Sequence, residues 1–233
     1  MAGSSDRDDG IRSWETGWGG GYIAVSRRSS TSAVTTVEQF IRHAGIRPGS
    51  RVLDLGCGHG RITELLVRRV PDLQVTGIDL TRELLEEFLV EQGTNGCTLR
   101  LVHADMDADG LPFGDGEFDL AVSSRVFHYL TRPVETLREA RRVVRPGGSV
   151  LVAVPNRLNP VKALAYKRAR LYSPAEVGAW FEDAGFTEVQ VGSMCFFPSL
   201  KRGHGLAALC ERLDRLPGIG LLGGNVLVSG RVS

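Results

Sequence analysis

The chain has 233 residues, room for one α/β domain with decoration or at most two small ones. Apolar residues make up 42% and charged residues 24%, a balance that excludes disordered and fibrous classes and fits a soluble globular protein. A formal net charge of +1 supplies no global field for nucleic acid or an anionic membrane, which disfavours a polynucleotide substrate.

Residues 1 to about 30 are polar and glycine-rich and read as a flexible arm. Trp14, Trp18 and Tyr22 interrupt that polarity, with Gly17, Gly19, Gly20 and Gly21 between them. Either the arm is a lid that folds over a ligand, bringing Tyr22 to the substrate, or it is a tail packed on the domain surface. The first residues lack the apolar core of a signal peptide, and no run approaches the ~20 apolar residues that span a bilayer. Cys57, Cys97, Cys195 and Cys210 form no C-x-x-C pair, which argues against a zinc site or a disulfide framework and fits a reducing cytoplasm.

From about Ser32 the pattern is regular, and residues 31–233 read as one domain with insertions at about 155–172 and 195–224. Thr35–Ala44 reads as a helix ended by Gly45. Strand-like runs follow at Val52–Leu55, Val75–Ile78, Thr98–Val102, Phe118–Ser123 and Ser149–Val154. Between them, helical spacing relates Ile62, Leu65, Leu66 and Val70, then Leu84, Leu85, Phe88 and Leu89. A third set is Val134, Leu137, Ala140 and Val144, ended by Pro146-Gly147-Gly148. Strands alternating with helices predict a parallel sheet covered on both faces. Ser173 is placed as an N-cap with Pro174 at the first helical position, and the stripe Val177, Trp180, Phe181 and Ala184 stops at Gly185. A strand at Phe186–Val191, the insertion at 195–224 and a closing strand at Asn225–Val232 complete the chain.

The most informative stretch is Arg51-Val52-Leu53-Asp54-Leu55-Gly56-Cys57-Gly58-His59-Gly60-Arg61, a buried strand running into a glycine turn that opens a helix. Glycines let backbone approach a ligand closely. Asp79 ends the next strand, where a carboxylate accepts both hydroxyls of a ribose. The compact G-C-G-H-G turn, with Asp54 two residues before its first glycine, suits an amino-acid carboxylate better than a pyrophosphate. At His103-Ala104-Asp105-Met106, an aspartate can bind an adenine amino group and Met106 can cover the ring. The short-chain dehydrogenase pattern Y-x-x-x-K is absent, since Tyr166 is followed by Lys167 and then Arg170.

The set V-L-D-L-G-C-G-H-G-R, G-I-D-L, H-A-D-M, F-D-L-A-V-S-S-R-V-F-H-Y-L and V-V-R-P-G-G-S-V-L-V-A-V-P-N resembles the class I S-adenosylmethionine-dependent methyltransferases, in the small-molecule branch often called type 11. The resemblance covers about residues 35 to 193 and weakens over the arm and the insertion before the last strand. It implies a Rossmann-like three-layer sandwich with a mostly parallel seven-stranded sheet and an antiparallel last strand. It also implies S-adenosylmethionine as cofactor and S-adenosylhomocysteine as product. Gly56, Cys57 and Gly58 would wrap the methionyl end, with Asp54 fixing the turn and the amino group. Asp79 would bind the ribose, Leu80 would line the adenine, and Asp105 and Met106 would hold it. Ser123 and Ser124 would lie near the sulfonium. For several of these residues a plainer role stands beside the implied one: Asp54 caps the turn, Met106 belongs to the core, and Asp105 begins a loop.

Methyl transfer needs alignment and exclusion of water, and a base only where the acceptor must lose a proton. His128 matches a histidine frequent in the family after the fourth strand; it is a base or positioning group, or else a residue packed beside Tyr129. Arg125 pairs with a substrate anion or is a solvated arginine. Tyr129 and Asn156 are candidate substrate contacts. Ser123-Ser124 and Pro155-Asn156 stand where magnesium-dependent relatives place aspartates, so no metal is expected. The N-P-P-Y motif of base-modifying enzymes and the glutamate pair of arginine methyltransferases are also absent after the fourth strand. The basic segment from Pro155 to Tyr172 is a lid, a lipid-facing surface or a solvated face. The expectation is a metal-independent O- or N-methyltransferase for a small, partly apolar metabolite, working as monomer or homodimer, with no nucleic acid and no stable membrane insertion. C-methylation of an activated ring and a non-catalytic cofactor-binding role are the alternatives.

Overall fold

A computed structural model describes residues 31–88, 90–160, 163, 170–194 and 222–233. The arm with Tyr22, most of the basic 155–172 segment, Leu89 and nearly all of the 195–224 insertion lie outside the described residues. Helix α1 (Thr31–Ala44) leads into β1 (Arg51–Leu55), α2 (Arg61–Val67), β2 (Gln74–Asp79), α3 (Arg82–Glu86) and β3 (Thr98–His103). Then come β4 (Phe118–Ser124), α4 (Pro133–Val143), β5 (Val144–Pro155), α5 (Pro174–Asp183), β6 (Thr187–Met194) and β7 (Asn225–Arg231).

The seven strands form one sheet in the order β3-β2-β1-β4-β5-β7-β6. The pairs among β1 to β5 are parallel, and β7 runs antiparallel to both β5 and β6. The chain starts in the middle, builds outward to β3 and then returns to β4. The carboxyl ends of β1 and β4 therefore flank the crevice where the winding direction reverses, which is where open α/β sheets bind ligands.

Period-two alternation divides the core. Leu53, Leu55, Ile78, Val150 and Val152 face one layer with Leu137, Phe127 and Phe181. Val52, Val75, Val122 and Leu151 face the other with Val37, Phe40 and Leu66. Each such fully buried side chain contributes about 1.5–3 kcal/mol of transfer free energy. The continuous apolar strands follow from burial on both faces.

Several boundaries differ from the pattern reading. The first helix begins at Thr31, one turn before Thr35. Helix α3 stops at Glu86, because Phe88 leaves the helical path to set its ring against Gly60. Pro146-Gly147-Gly148 does not separate helix from strand: α4 has already ended at Val143, and these residues form an irregularity within β5, where the pairing slips between Phe118 and Leu120. Strand β6 extends to Met194 because β7 supplies partners out to Asn225. Helix α5 starts at Pro174 as expected, and Ser173 with Glu176 closes a reciprocal capping box.

Candidate active site

The site grows from the carboxyl end of β1. Asp54 shares the face of Val52, so it points toward α2, where the Thr63 hydroxyl donates to its Oδ2 at 2.7 Å. Asp54 is 1% exposed. Burial raises its pKa to about 7, against the Thr63 hydrogen bond, and the charge of Asp79 adds to the rise. Thr63 was not among the sequence candidates. Its signal is a hydroxyl inside the apolar face of a helix, between Ile62 and Leu65.

Beyond Leu55 the chain doubles back, and the amides of Gly56 and Cys57 both donate to the Ile78 carbonyl at 2.8 and 3.1 Å. Gly56 has φ +71°, and a Cβ there would stand 2.3 Å from a methyl of Val126. Both the left-handed backbone and the close approach demand glycine. Cys57 is buried against β2; a Cβ on Gly77 would lie 2.7 Å from its Sγ. Cysteine at 57 and glycine at 77 thus fit each other, and burial pushes the thiol pKa well above its ordinary value. A thiol so held is inert rather than nucleophilic.

Asp79 closes the turn from the end of β2. Its Oδ2 accepts from the Gly58 amide at 2.8 Å and its Oδ1 from the Thr81 amide at 2.9 Å. Burial raises its pKa although both amides oppose the shift. Leu80 follows with 41% of its surface exposed, an unsheltered apolar side chain beside the carboxylate. At the neighbouring edge His103 donates through Nε2 to the Leu80 carbonyl at 2.9 Å.

The loop after β3 is built by its own acids. Asp105 Oδ1 accepts from the amides of Asp107 and Ala108 at 2.9 and 3.1 Å, an Asx-type turn. Met106 is buried in the core cluster with Leu111, Phe127 and Leu130. Asp107 reaches across to the segment before α4. It accepts from the Thr131 amide at 2.9 Å, the Thr131 hydroxyl at 2.6 Å and the Arg132 amide at 2.9 Å, while Arg132 returns bonds to the carbonyls of Asp107 and Ala108. The loops after β3 and β4 are thereby one body. Asp107→Ala removes three bonds to a buried carboxylate and is expected to cost about 2 kcal/mol, a fall of about 6 °C in calorimetric Tm, with part recovered by Asp107→Asn.

After β4 the chain turns abruptly. Ser123 is fully buried and donates its hydroxyl to the Leu55 carbonyl at 2.8 Å, bracing β4 to β1 beneath the glycine turn. Ser124 is partly exposed at the strand end. Arg125 has φ +62°, uncommon for arginine, and its amide donates to the Ala153 carbonyl at 2.7 Å. This twist brings Val126 onto Gly56. Such strain concentrates at functional sites. His128 is buried and lies against the half-exposed Tyr129, ring centroids 3.9 Å apart. Asn156 is fully buried at the end of β5; its amide donates to the Gly223 carbonyl at 2.7 Å and its Oδ1 accepts from the Leu158 amide. These two bonds tie together the loops it joins, a fastening role that the sequence reading did not foresee.

The structure therefore gathers Asp54, Gly56, Cys57, Gly58 and Asp79 in one cradle at the carboxyl edge, with the 125–129 loop resting on it through Val126. Residues 53–152 match a type 11 family model described as a methyltransferase domain. Over that stretch, and in its strand order and reversed β7, the chain is similar to the class I S-adenosylmethionine-dependent methyltransferases.

Among curated relatives of this methyltransferase chain, a Pseudomonas aeruginosa ubiquinone biosynthesis O-methyltransferase is 28% identical over 66% of this chain and 71% of its own length. An uncharacterized 37.1 kDa protein in transposon TN4556 of Streptomyces fradiae is 38% identical over 47% of this chain, which spans only 31% of that relative. The Haemonchus contortus phosphoethanolamine N-methyltransferase 2, solved with S-adenosyl-L-methionine, shares the fold at a TM-score of 0.65 and 15% identity, over 99% of this chain and 60% of that one. Among the described residues, no three His, Cys, Asp or Glu side chains gather where they could hold a metal ion. No described helix is long and apolar enough to cross a membrane.

Proposed function

We propose that this methyltransferase moves a methyl group from S-adenosylmethionine to an oxygen or nitrogen of a small, partly apolar metabolite, without a metal. The observation that carries the reading is the cradle in which Gly56 and Gly58 turn at positive φ between two carboxylates, Asp54 and Asp79. The residues fit the cofactor. Asp79 offers its carboxylate to the ribose hydroxyls, a Cβ on Gly58 would meet nothing closer than Leu84 at 3.8 Å, and the exposed Leu80 gives the adenine an apolar wall. Asp105 and Met106 complete the adenine end, and Asp54 attracts the amino group. When bound, the cofactor supplies an electrophilic methyl on a good leaving group.

What remains for the protein is alignment. Ser123 and Ser124 fix the floor beside the reacting centre, and Arg125 and Tyr129 line the acceptor's approach. An O–H acceptor must give up its proton as the new bond forms. His128 takes that role as base or orients the hydroxyl, and Tyr129 packs against its ring at a tilt of 40°. The curated O-methyltransferase relative favours an oxygen acceptor.

Calorimetric titration with S-adenosylhomocysteine, followed by transfer of labelled methyl to a panel of phenols, carboxylic acids and amines, tests the reading. One-site binding and one labelled acceptor class are expected; absence of both heat and thermal shift would defeat it. Binding without transfer to any acceptor would favour the non-catalytic role. With an acceptor found, His128→Ala is expected to lower kcat about 100-fold at saturating substrate. Unchanged turnover would remove His128 from the chemistry.

A further inference from the structure

At the edge of the sheet opposite the cofactor cradle lies a cavity of about 500 Å³. It opens between the end of α1 with its following loop and the strand ends at Leu120, Ser149 and Arg231. This is ligand-sized, but its lining is polar rather than apolar, unlike a cleft for a greasy metabolite. Arg42 and Arg47 stand on the α1 side, and Arg145 and Arg231 on the β5–β7 side. Asp119 is the one carboxylate among the lining residues, and it is occupied: Arg51 holds it through its amide and guanidinium at 2.8 and 3.1 Å, and Arg145 Nε at 2.7 Å. Those arginines outweigh burial and hold the Asp119 carboxyl down at about 2. Arg231 meets Glu188 at 3.4 Å. Arg42 and Arg47 are exposed and make no ion pair among the described residues.

Four guanidinium groups thus face one lining carboxylate around one concave space, and Arg42 and Arg47 stand together on one wall. Guanidinium forks match phosphate oxygens in charge and geometry. We propose that this groove is a second ligand site, for a di- or triphosphate group, distinct from the cofactor cradle. Two phosphoryl units would lie between Arg42 and Arg47 on one side and Arg145 and Arg231 on the other, with Ser149 beside them. Strands β1, β4 and β5 run from this groove to the cofactor edge, so occupancy here acts on the same strands that carry the glycine turn and the 125–129 loop.

Titration calorimetry with sodium tripolyphosphate, at a constant ionic strength of about 0.15 M, tests the site. One-site binding with Kd below about 1 mM is expected, persisting when S-adenosylhomocysteine is saturating. The Arg42→Ala/Arg47→Ala double variant, with both side chains exposed and its fold checked by circular dichroism, should bind at least tenfold more weakly. Arg138→Ala, which removes an exposed arginine from α4, should bind as the parent does. Equal affinity for ATP and tripolyphosphate marks a phosphate-only contact and tighter ATP binding a nucleotide site; both uphold the groove. No heat, equal weakening in Arg138→Ala, or displacement by S-adenosylhomocysteine would overturn it.

Discussion

Asp79→Ala is expected to weaken S-adenosylhomocysteine at least 100-fold, measured by calorimetric titration at pH 8. Two sources add. The ribose loses two charge-assisted hydrogen bonds, each worth about 1.5–3 kcal/mol. The turn also loses the acceptor that holds the Gly58 and Thr81 amides, so the loop contacting the methionyl end is no longer fixed. Asp79→Asn separates the two. An amide keeps one acceptor oxygen but turns an NH₂ toward the second backbone N–H, so it fails at the ribose while preserving part of the turn. Parental affinity in Asp79→Ala would remove this residue from the cofactor's binding set.

The second large effect is a proton. Free Asp54 titrates near pH 7 because it is buried beside Asp79. A ligand bringing an ammonium, and a sulfonium where present, favours the carboxylate, so binding below pH 7 expels a proton. Affinity should rise up to tenfold per pH unit from about 5 to 7 and then level. At pH 6, titrations in buffers of different ionisation heat should report close to one proton released. The ligand's own amino group titrates near 8, so Asp54→Asn serves as the control: it should erase the break near 7 and leave the other. Thr63→Val should move the break upward, because the Thr63 hydroxyl favours the charged form.

Folding stability of the free protein follows the opposite course. The folded chain retains a proton that the unfolded chain releases at 3.8, so Asp54 favours the folded state most at low pH. That contribution is lost as pH rises toward 7 and is constant above it, with a slope of at most about 1.4 kcal/mol per unit. Denaturant midpoints across this range, with and without S-adenosylhomocysteine, would show the slope and its disappearance.

Much of this was legible in the chain. The strands appear as apolar runs because they are buried on both sides, and Asp54, Gly56, Gly58 and Asp79 stand at fixed offsets from strand ends. What the sequence hid are contacts between segments distant along the chain. Nothing local announces that Val126 rests on Gly56, that Cys57 fills the space left by Gly77, or that Asp107 clasps Thr131 and Arg132. Nor does local pattern separate Asn156 at a substrate from Asn156 tying Gly223 to the end of β5. The arginine groove escaped for the same reason, since it assembles from four elements scattered between Arg42 and Arg231.

The reversed strand carries a further consequence. Met194 and Asn225 are paired neighbours, and Asn225 also pairs with Pro155, so the polypeptide leaves and re-enters the framework at a single rung on the cofactor side. A loop with adjoining stems can be lengthened or exchanged at small entropic expense, about 0.6 kcal/mol for each doubling. A change in the length of chain between Met194 and Asn225 is therefore expected to leave the pairing of β5, β6 and β7 as it is, since both ends are fixed at one rung.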